Sequence, residues 1–186
     1  MPSITESKIL ILSTHGFEQS ELEVPRDELR KAGATVHVAS LDGKPIKGWD
    51  TDDWGNEAEA DLALADVNVA DYDALVLPGG QINPDLLRVE NDALKTVTGF
   101  FGAGKTIAAI CHAPWILVEA GIAKGRQMTS YHSIKTDVQN AGAHWQDVEV
   151  IADQGIVTSR NPGDLSAFVA KIIEEIEEGA HDRRAA

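Results

Sequence analysis

The lone cysteine, Cys111, sits where a run suited to a strand meets a run suited to a helix. Thr106-Ile107-Ala108-Ala109-Ile110 has the apolar, β-branched character of a buried strand and leads straight into it. Ala113 to Ala120 follows with one charge, Glu119, and with Pro114 in its first turn, as a buried central helix would have. A sharp turn between the two lifts one side chain above the carboxyl edge of a sheet. The free N–H groups at the start of the helix then favour a thiolate, taking a cysteine from about 8.5 to a pKa in the range of roughly 3.5–7.5. This placement predicts an activated nucleophile; the plain alternative is a core thiol. Pro78-Gly79-Gly80 closes a second apolar run, Ala74 to Leu77. The N–H groups of Gly79, Gly80 and His112 are candidate donors to a developing oxyanion, unless the glycines merely make a turn.

The elements around these residues alternate short β runs with amphipathic helices, the pattern of an α/β sheet. Lys8 to Ser13 reads as a strand covered on both faces, and Thr35 to Ala39 as the next. Between them Ser20-x-x-Glu23 has the form of a capping box for a helix that reaches Ala32 and stops at Gly33, with Pro25 predicting a kink or a late start. Residues 41–71, rich in Asp and Gly and carrying Trp49 and Trp54, read as a hairpin-like excursion at the sheet edge. Asn91 opens a helix with Leu94, Val97 and Phe101 on one face, ended by Gly104. Gly125 to Ser130 leads to a strand end, and 148–152 with 156–159 forms a short hairpin. Asp164 caps a last helix carrying Leu165, Phe168, Val169, Ile172 and Ile176, and 179–186 reads as a flexible tail.

The totals set outer bounds. A chain of 186 residues, 43% hydrophobic, fits one domain with its own core, here 1–186 with the core at about 8–178. Sixteen basic against thirty acidic residues give a charge of −14, which repels nucleic acid phosphates and anionic lipid. No apolar run is long enough to span a bilayer, and the polar start through Lys8 lacks a signal-peptide core. One cysteine forms no internal disulfide, which suits a reducing compartment, so the expected location is the cytoplasm. No H-E-x-x-H, C-x-x-C, P-loop or G-x-G-x-x-G pattern is present, and no metal or cofactor is expected. The elbow also occurs in class I glutamine amidotransferases, but neither His144 nor His181 has an acid two places on.

Gly16-Phe17-Glu18, Pro78-Gly79-Gly80, Ala109-Ile110-Cys111-His112-Ala113-Pro114, Thr129-Ser130-Tyr131 and the run Thr158 to Leu165 together resemble the ThiJ/PfpI superfamily, in order and over nearly the whole chain. The similarity is greatest to the PfpI branch, described as intracellular protease I or general stress protein. The resemblance implies a flavodoxin-like three-layer sandwich with a mostly parallel central sheet and a nucleophile elbow, Cys111 as nucleophile and His112 as its partner. It implies that Glu18 reaches the sulfur from the first loop, where a protonated carboxylic acid can donate to a thiolate. It implies an acid after the Gly-Gly pair that orients His112; Asp85 is the candidate, supplied by a neighbouring subunit, the alternative being a helix cap. Tyr131 and His132 would line the pocket, with Trp49, Trp54 and Trp115 as further walls. PfpI-like proteins assemble, so a homodimer or higher oligomer is expected.

Two readings follow. In one, Cys111 attacks the carbonyl carbon of a peptide or of a small carbonyl adduct, as a peptidase or a deglycase or glyoxalase. In the other, Cys111 is a peroxide sensor with little turnover, oxidised to sulfenic or sulfinic acid.

Overall fold

The computed structural model describes residues 3–182. Its strands are β1 (Lys8–Leu12), β2 (Phe17–Glu18), β3 (Thr35–Ser40), β4 (Ile46–Asp50), β5 (Asp53–Ala58), β6 (Leu62–Ala63), β7 (Ala74–Leu77), β8 (Thr106–Ile110), β9 (Gln127–Met128), β10 (His144–Trp145), β11 (Val150–Asp153) and β12 (Ile156–Ser159). Its α-helices are α1 (Gln19–Lys31), α2 (Ile82–Leu87), α3 (Asn91–Gly102), α4 (Pro114–Glu119), α5 (Lys135–Asn140) and α6 (Leu165–Glu178). Seven strands form the central sheet in the order β11-β12-β8-β7-β1-β3-β6. Every pair in it is parallel except β11 with β12.

Alternation along the strands sorts the core into two layers. Leu10, Leu12, Leu75, Leu77, Ile107 and Ala109 pack beneath Val97 and Phe100 of α3 and Ile116 and Leu117 of α4. The intervening Ile9, Ile11, Val76, Ala108 and Ile110 pack on the other face, against Leu22 and Leu29 of α1 and Phe168 and Ile172 of α6. Because successive strand side chains point to opposite faces, continuous apolar runs are what a sheet covered on both sides requires. The expected three-layer sandwich is the one observed. Since β8, β7 and β1 are adjacent and parallel, the loops after Ile110, Leu77 and Leu12 emerge at one edge, where open α/β sheets bind ligands.

Several local expectations are corrected. Helix α1 begins at Gln19 with Glu18 at its N-cap and no side-chain cap, so Ser20 and Glu23 form no capping box; Pro25 lies inside the helix. The inward face of α3 carries Ala93, Val97 and Phe100, with Leu94 and Phe101 at its border. Asp164 occupies the N-cap position of α6 as expected but makes no side-chain cap; its carboxylate accepts instead from the Arg160 backbone N–H and guanidinium. The tail is docked at least to His181, whose N–H donates to Gly104 O at 2.9 Å, while 183–186 lie outside the described residues. Residues 41–71 form the edge excursion expected, with Trp49 paired across β4–β5 to Trp54 and β6 closing the main sheet. Among the described residues, no helix is long and apolar enough to cross a membrane.

Candidate active site

Cys111 follows β8 directly and has φ 65°, a left-handed conformation that costs a non-glycine residue about 1–3 kcal/mol. Two backbone hydrogen bonds hold it there. Its N–H donates to Ser159 O at 3.0 Å, and Tyr131 N–H donates to its carbonyl at 2.8 Å. The ends of β8 and β12 and the 129–131 loop thus fix the elbow, and α4 begins three residues later with Pro114 at its start. Cys111 is 5% exposed and lines a cavity of about 510 Å³.

The carboxyl that meets this thiol is Glu21, not Glu18. Glu21 is fully buried on the face of α1 that also carries Leu22, Pro25 and Leu29. Its Oε2 accepts from Gly79 N–H at 3.0 Å. Its Oε1 is sealed from solvent without a hydrogen-bond partner, and the thiol that the Glu21 side chain acts on is that of Cys111. Burial, and then the charge of Glu18, push the Glu21 pKa up to about 8, so the carboxyl keeps its proton at neutral pH. Burial, and then a charged Glu21, push the Cys111 thiol well up, and the N–H groups of Gly80 and His112 offset only part of that rise. With Glu21 protonated, the like-charge push on the sulfur is absent.

Gly79 makes this meeting possible. A Cβ there would lie 2.4 Å from Glu21 Oε2, 2.6 Å from Cys111 Cβ and 2.6 Å from Ile110 O. Its N–H is committed to Glu21, and the Gly80 N–H is shared between the Glu21 carboxyl and the sulfur, so of the three donors expected at an oxyanion, Gly80 and His112 N–H are the two that act on the sulfur. Gly80 has φ 80°, and a Cβ on it would meet Gly16 O at 2.5 Å, so it too must be glycine.

His112 is buried, with Nδ1 3.1 Å from the Cys111 sulfur and Nε2 3.1 Å from Ser133 Oγ. Tyr131 stacks on the imidazole at 4.7 Å and Trp115 packs edge-on at 5.3 Å. Burial, and then the charge of His132, lower its pKa to about 4, so the ring is neutral at pH 7. Ser133, which carries no signal of its own in the sequence, is the group that orients the ring within one chain. Asp85 does not do so in cis: it lies exposed on α2 and makes no hydrogen bond or ion pair among the described residues, nor does it cap that helix.

Tyr131 lines the cavity together with Trp49, Thr51 and Pro162. Trp115, His132 and Trp54 do not line it. Trp115 Nε1 donates to Asp137 at 2.8 Å, His132 packs on Tyr131 at 4.4 Å, and Trp54 is an exposed edge partner of Trp49.

One further buried residue holds the loops in register. Asn83 Oδ1 accepts from Thr14 N–H at 2.7 Å and Ser13 Oγ at 3.2 Å, and its Nδ2 donates to Pro78 O at 2.9 Å, tying the loop after β1 to the loop after β7. Removing it strands several buried polar groups, each costing about 1–3 kcal/mol. Asn83→Ala is expected to lower unfolding stability by about 2–4 kcal/mol in urea titrations and to slow Cys111 alkylation at pH 7.

An α/β sandwich with a strained cysteine elbow, a buried carboxylic acid at the sulfur and two N–H donors beside it defines a cysteine-centred site of the nucleophile-elbow class. The chain belongs to the DJ-1/PfpI family, whose sequence model matches residues 7–175. It is 42% identical to "Deglycase PfpI" of Pyrococcus furiosus over 167 residues, covering 90% of this chain and 98% of that protein. It is 40% identical to "Putative cysteine protease YraA" of Bacillus subtilis over 162 residues, covering 87% and 93%. The crystal structure of Drosophila melanogaster DJ-1beta superposes with a TM-score of 0.82 at 32% identity, over 92% of this chain and 94% of that one.

Proposed function

We propose that this protein is a cytoplasmic cysteine-nucleophile enzyme that attacks the carbonyl carbon of small carbonyl adducts, a deglycase-type activity, with Cys111 as nucleophile. The observation that carries the reading is the Cys111 elbow at φ 65° opening into the cavity, with a protonated Glu21 on one side of the sulfur and the Gly80 and His112 N–H groups on it. In this scheme the proton lost by the pair leaves sulfur, because the two N–H groups stabilise charge there while Glu21 holds its own proton. Addition of sulfur to a carbonyl carbon moves charge to the carbonyl oxygen, and Gly80 and His112 N–H are the donors that receive it. Neutral His112, steadied by Ser133, then passes protons between sulfur, oxygen and leaving group. The relatives named deglycases support the choice of reaction.

Depth favours a small adduct over a polypeptide. A cysteine only 5% exposed in the cavity lining is within reach of a terminal carbonyl group, whereas a peptide bond needs its flanking backbone accommodated as well. The test is turnover of methylglyoxal, methylglyoxal-adducted amino acids and denatured casein by wild type and Cys111→Ser. Loss of at least about 10³-fold in adduct turnover in Cys111→Ser, with negligible casein cleavage in both, is expected. Casein cleavage that depends on Cys111 returns the peptidase reading, and the absence of any Cys111-dependent turnover makes the peroxide-sensor reading the better one.

The protein is also proposed to act as a dimer through α2. Ile82, Leu86 and Val89 are 39%, 43% and 71% exposed around Asp85, an apolar surface of the kind interfaces bury. In the dimer, Asp85 of one chain reaches the His112 site of the other.

A further inference from the structure

The cavity above Cys111 is lined by acids and aromatics but by no Lys or Arg. Two of its lining residues, Glu18 and Glu21, are carboxylic acids, and the imidazole of His112 is uncharged at neutral pH. Glu21 is spent on Cys111 and Gly79 and keeps its proton. That leaves Glu18 as the formal charge of the lining.

Glu18 is a carboxylate without a counter-ion. Its one hydrogen bond is long, 3.4 Å from Ser20 Oγ, and among the described residues no cation pairs with it. Its charged neighbour is another acid, Asp50, and burial followed by that charge raises its pKa. A half-buried carboxylate facing a second acid is an arrangement that a cation entering the cavity would relieve. Trp49 and Tyr131 add two aromatic rings to the same lining, and such rings attract cations by their quadrupoles. The nearby Lys47 does not neutralise the site: its ammonium sits over Trp54, 5.9 Å from the ring centre, outside the lining.

We infer that Glu18 is the specificity-determining residue of this cavity and that, with Trp49 and Tyr131, it selects carbonyl adducts carried beside a cationic group, a guanidinium or an ammonium, over neutral and carboxylate-bearing ones. The inference rests on the reading of Cys111 as the nucleophile of this cavity. It gives Glu18 a role separate from the sulfur: Glu21 serves the thiol, and Glu18, three residues earlier, serves the substrate.

The experiment separates charge selection from turnover. Cys111 is labelled with methanethiosulfonates bearing a trimethylammonioethyl, a methyl or a sulfonatoethyl group, each rate being divided by that reagent's rate with free 2-mercaptoethanol. Glu18→Gln also alters Glu21 and hence the reactivity of the sulfur, but that change is common to all three reagents and cancels in their ratio. The cation-to-methyl ratio is expected to fall about tenfold in Glu18→Gln and to hold in Glu28→Gln, which removes an equal charge from an exposed site on α1. A ratio unchanged in Glu18→Gln, or one that falls equally in Glu28→Gln, overturns the inference. In parallel, turnover is measured on the hemithioacetals that methylglyoxal forms with thiocholine, 2-mercaptoethanol and 3-mercaptopropionate. The KM for the thiocholine adduct should rise about tenfold in Glu18→Gln relative to the KM for the neutral one. If no hemithioacetal is turned over at all, the deglycase reading fails, while the labelling ratios still decide for or against charge selection.

Discussion

In a Cys111→Ser protein, Glu21 is expected to remove about 4 kcal/mol of folding stability as pH rises from 4.5 to 8, an effect absent from the Cys111→Ser/Glu21→Gln double variant. The sign follows from proton counts. Unfolded, Glu21 loses its proton near 4.5; folded, burial and the Glu18 charge hold the proton to about 8. Between those values the native state binds one proton more than the unfolded state, so stability falls with rising pH, and the effect is complete above the folded pKa. Below about 4.5 both states are protonated and the two variants run parallel. Wild type is the informative third curve. If Cys111 ionises while Glu21 keeps its proton, native and unfolded chains each carry one proton on this pair at pH 6, and the slope due to the pair vanishes. If the thiol stays protonated, wild type follows Cys111→Ser down. Urea titrations of the three proteins at half-unit pH steps therefore count the thiolate without using a reactive probe. Coincident wild-type and Cys111→Ser curves would remove the thiolate from the proposed mechanism.

That Glu21 escaped the sequence while Cys111 did not has a physical reason. The elbow is written locally: an apolar β run, a cysteine, and a proline-started apolar helix specify the turn within about a dozen residues. The sandwich is equally local in its signals, since Ile9 to Leu12, Leu75 to Leu77 and Ile107 to Ile110 are continuous apolar runs that only a doubly covered sheet accommodates. Glu21 is different, because its role depends on where α1 starts. Ser20-x-x-Glu23 has the form of a cap and draws the helix start later than Gln19, which hides the face that α1 buries. With the start at Gln19, Glu21 falls on the face of Leu22, Pro25 and Leu29, and an acid on an apolar face is the signal that could have found it. Ser133 and Asn83 carry no such signal. They are ordinary polar residues made important by contacts across 21 and 70 residues of sequence, to His112 and Ser13. Gly79 and Gly80 were legible as a pair but not as individuals, since only the packing of Glu21 shows which N–H is already taken.

Mixing two inactive proteins, Cys111→Ala and Asp85→Ala, is expected to restore activity. Within one chain Asp85 is exposed and makes no hydrogen bond or ion pair with His112, whose outer nitrogen meets Ser133, so an acid acting on that ring has to come from a second copy. The surface carrying Asp85 suits the purpose, because Ile82, Leu86 and Val89 leave apolar area on and just after α2 that a two-fold contact would cover. In a mixed dimer, one site combines the intact cysteine of the Asp85→Ala chain with the intact acid of the Cys111→Ala chain, while the other site lacks both. Activity should therefore return to about half the wild-type value per mixed dimer when two-fold symmetry places each site across the interface. With the acid acting in cis, every site stays broken and mixing restores nothing. If Asp85→Ala is itself active, the acid has no part in the reaction. The histidine supplies a readout independent of turnover. Burial and the His132 charge hold His112 near pKa 4 in a single chain, and a carboxylate brought to the ring offsets both. In the assembled wild type His112 should then titrate well above 4 by NMR, and in Asp85→Asn it should drop back. A His112 titration indifferent to Asp85, in a protein that light scattering finds at twice the chain mass, would leave the dimer standing and remove the acid from the site.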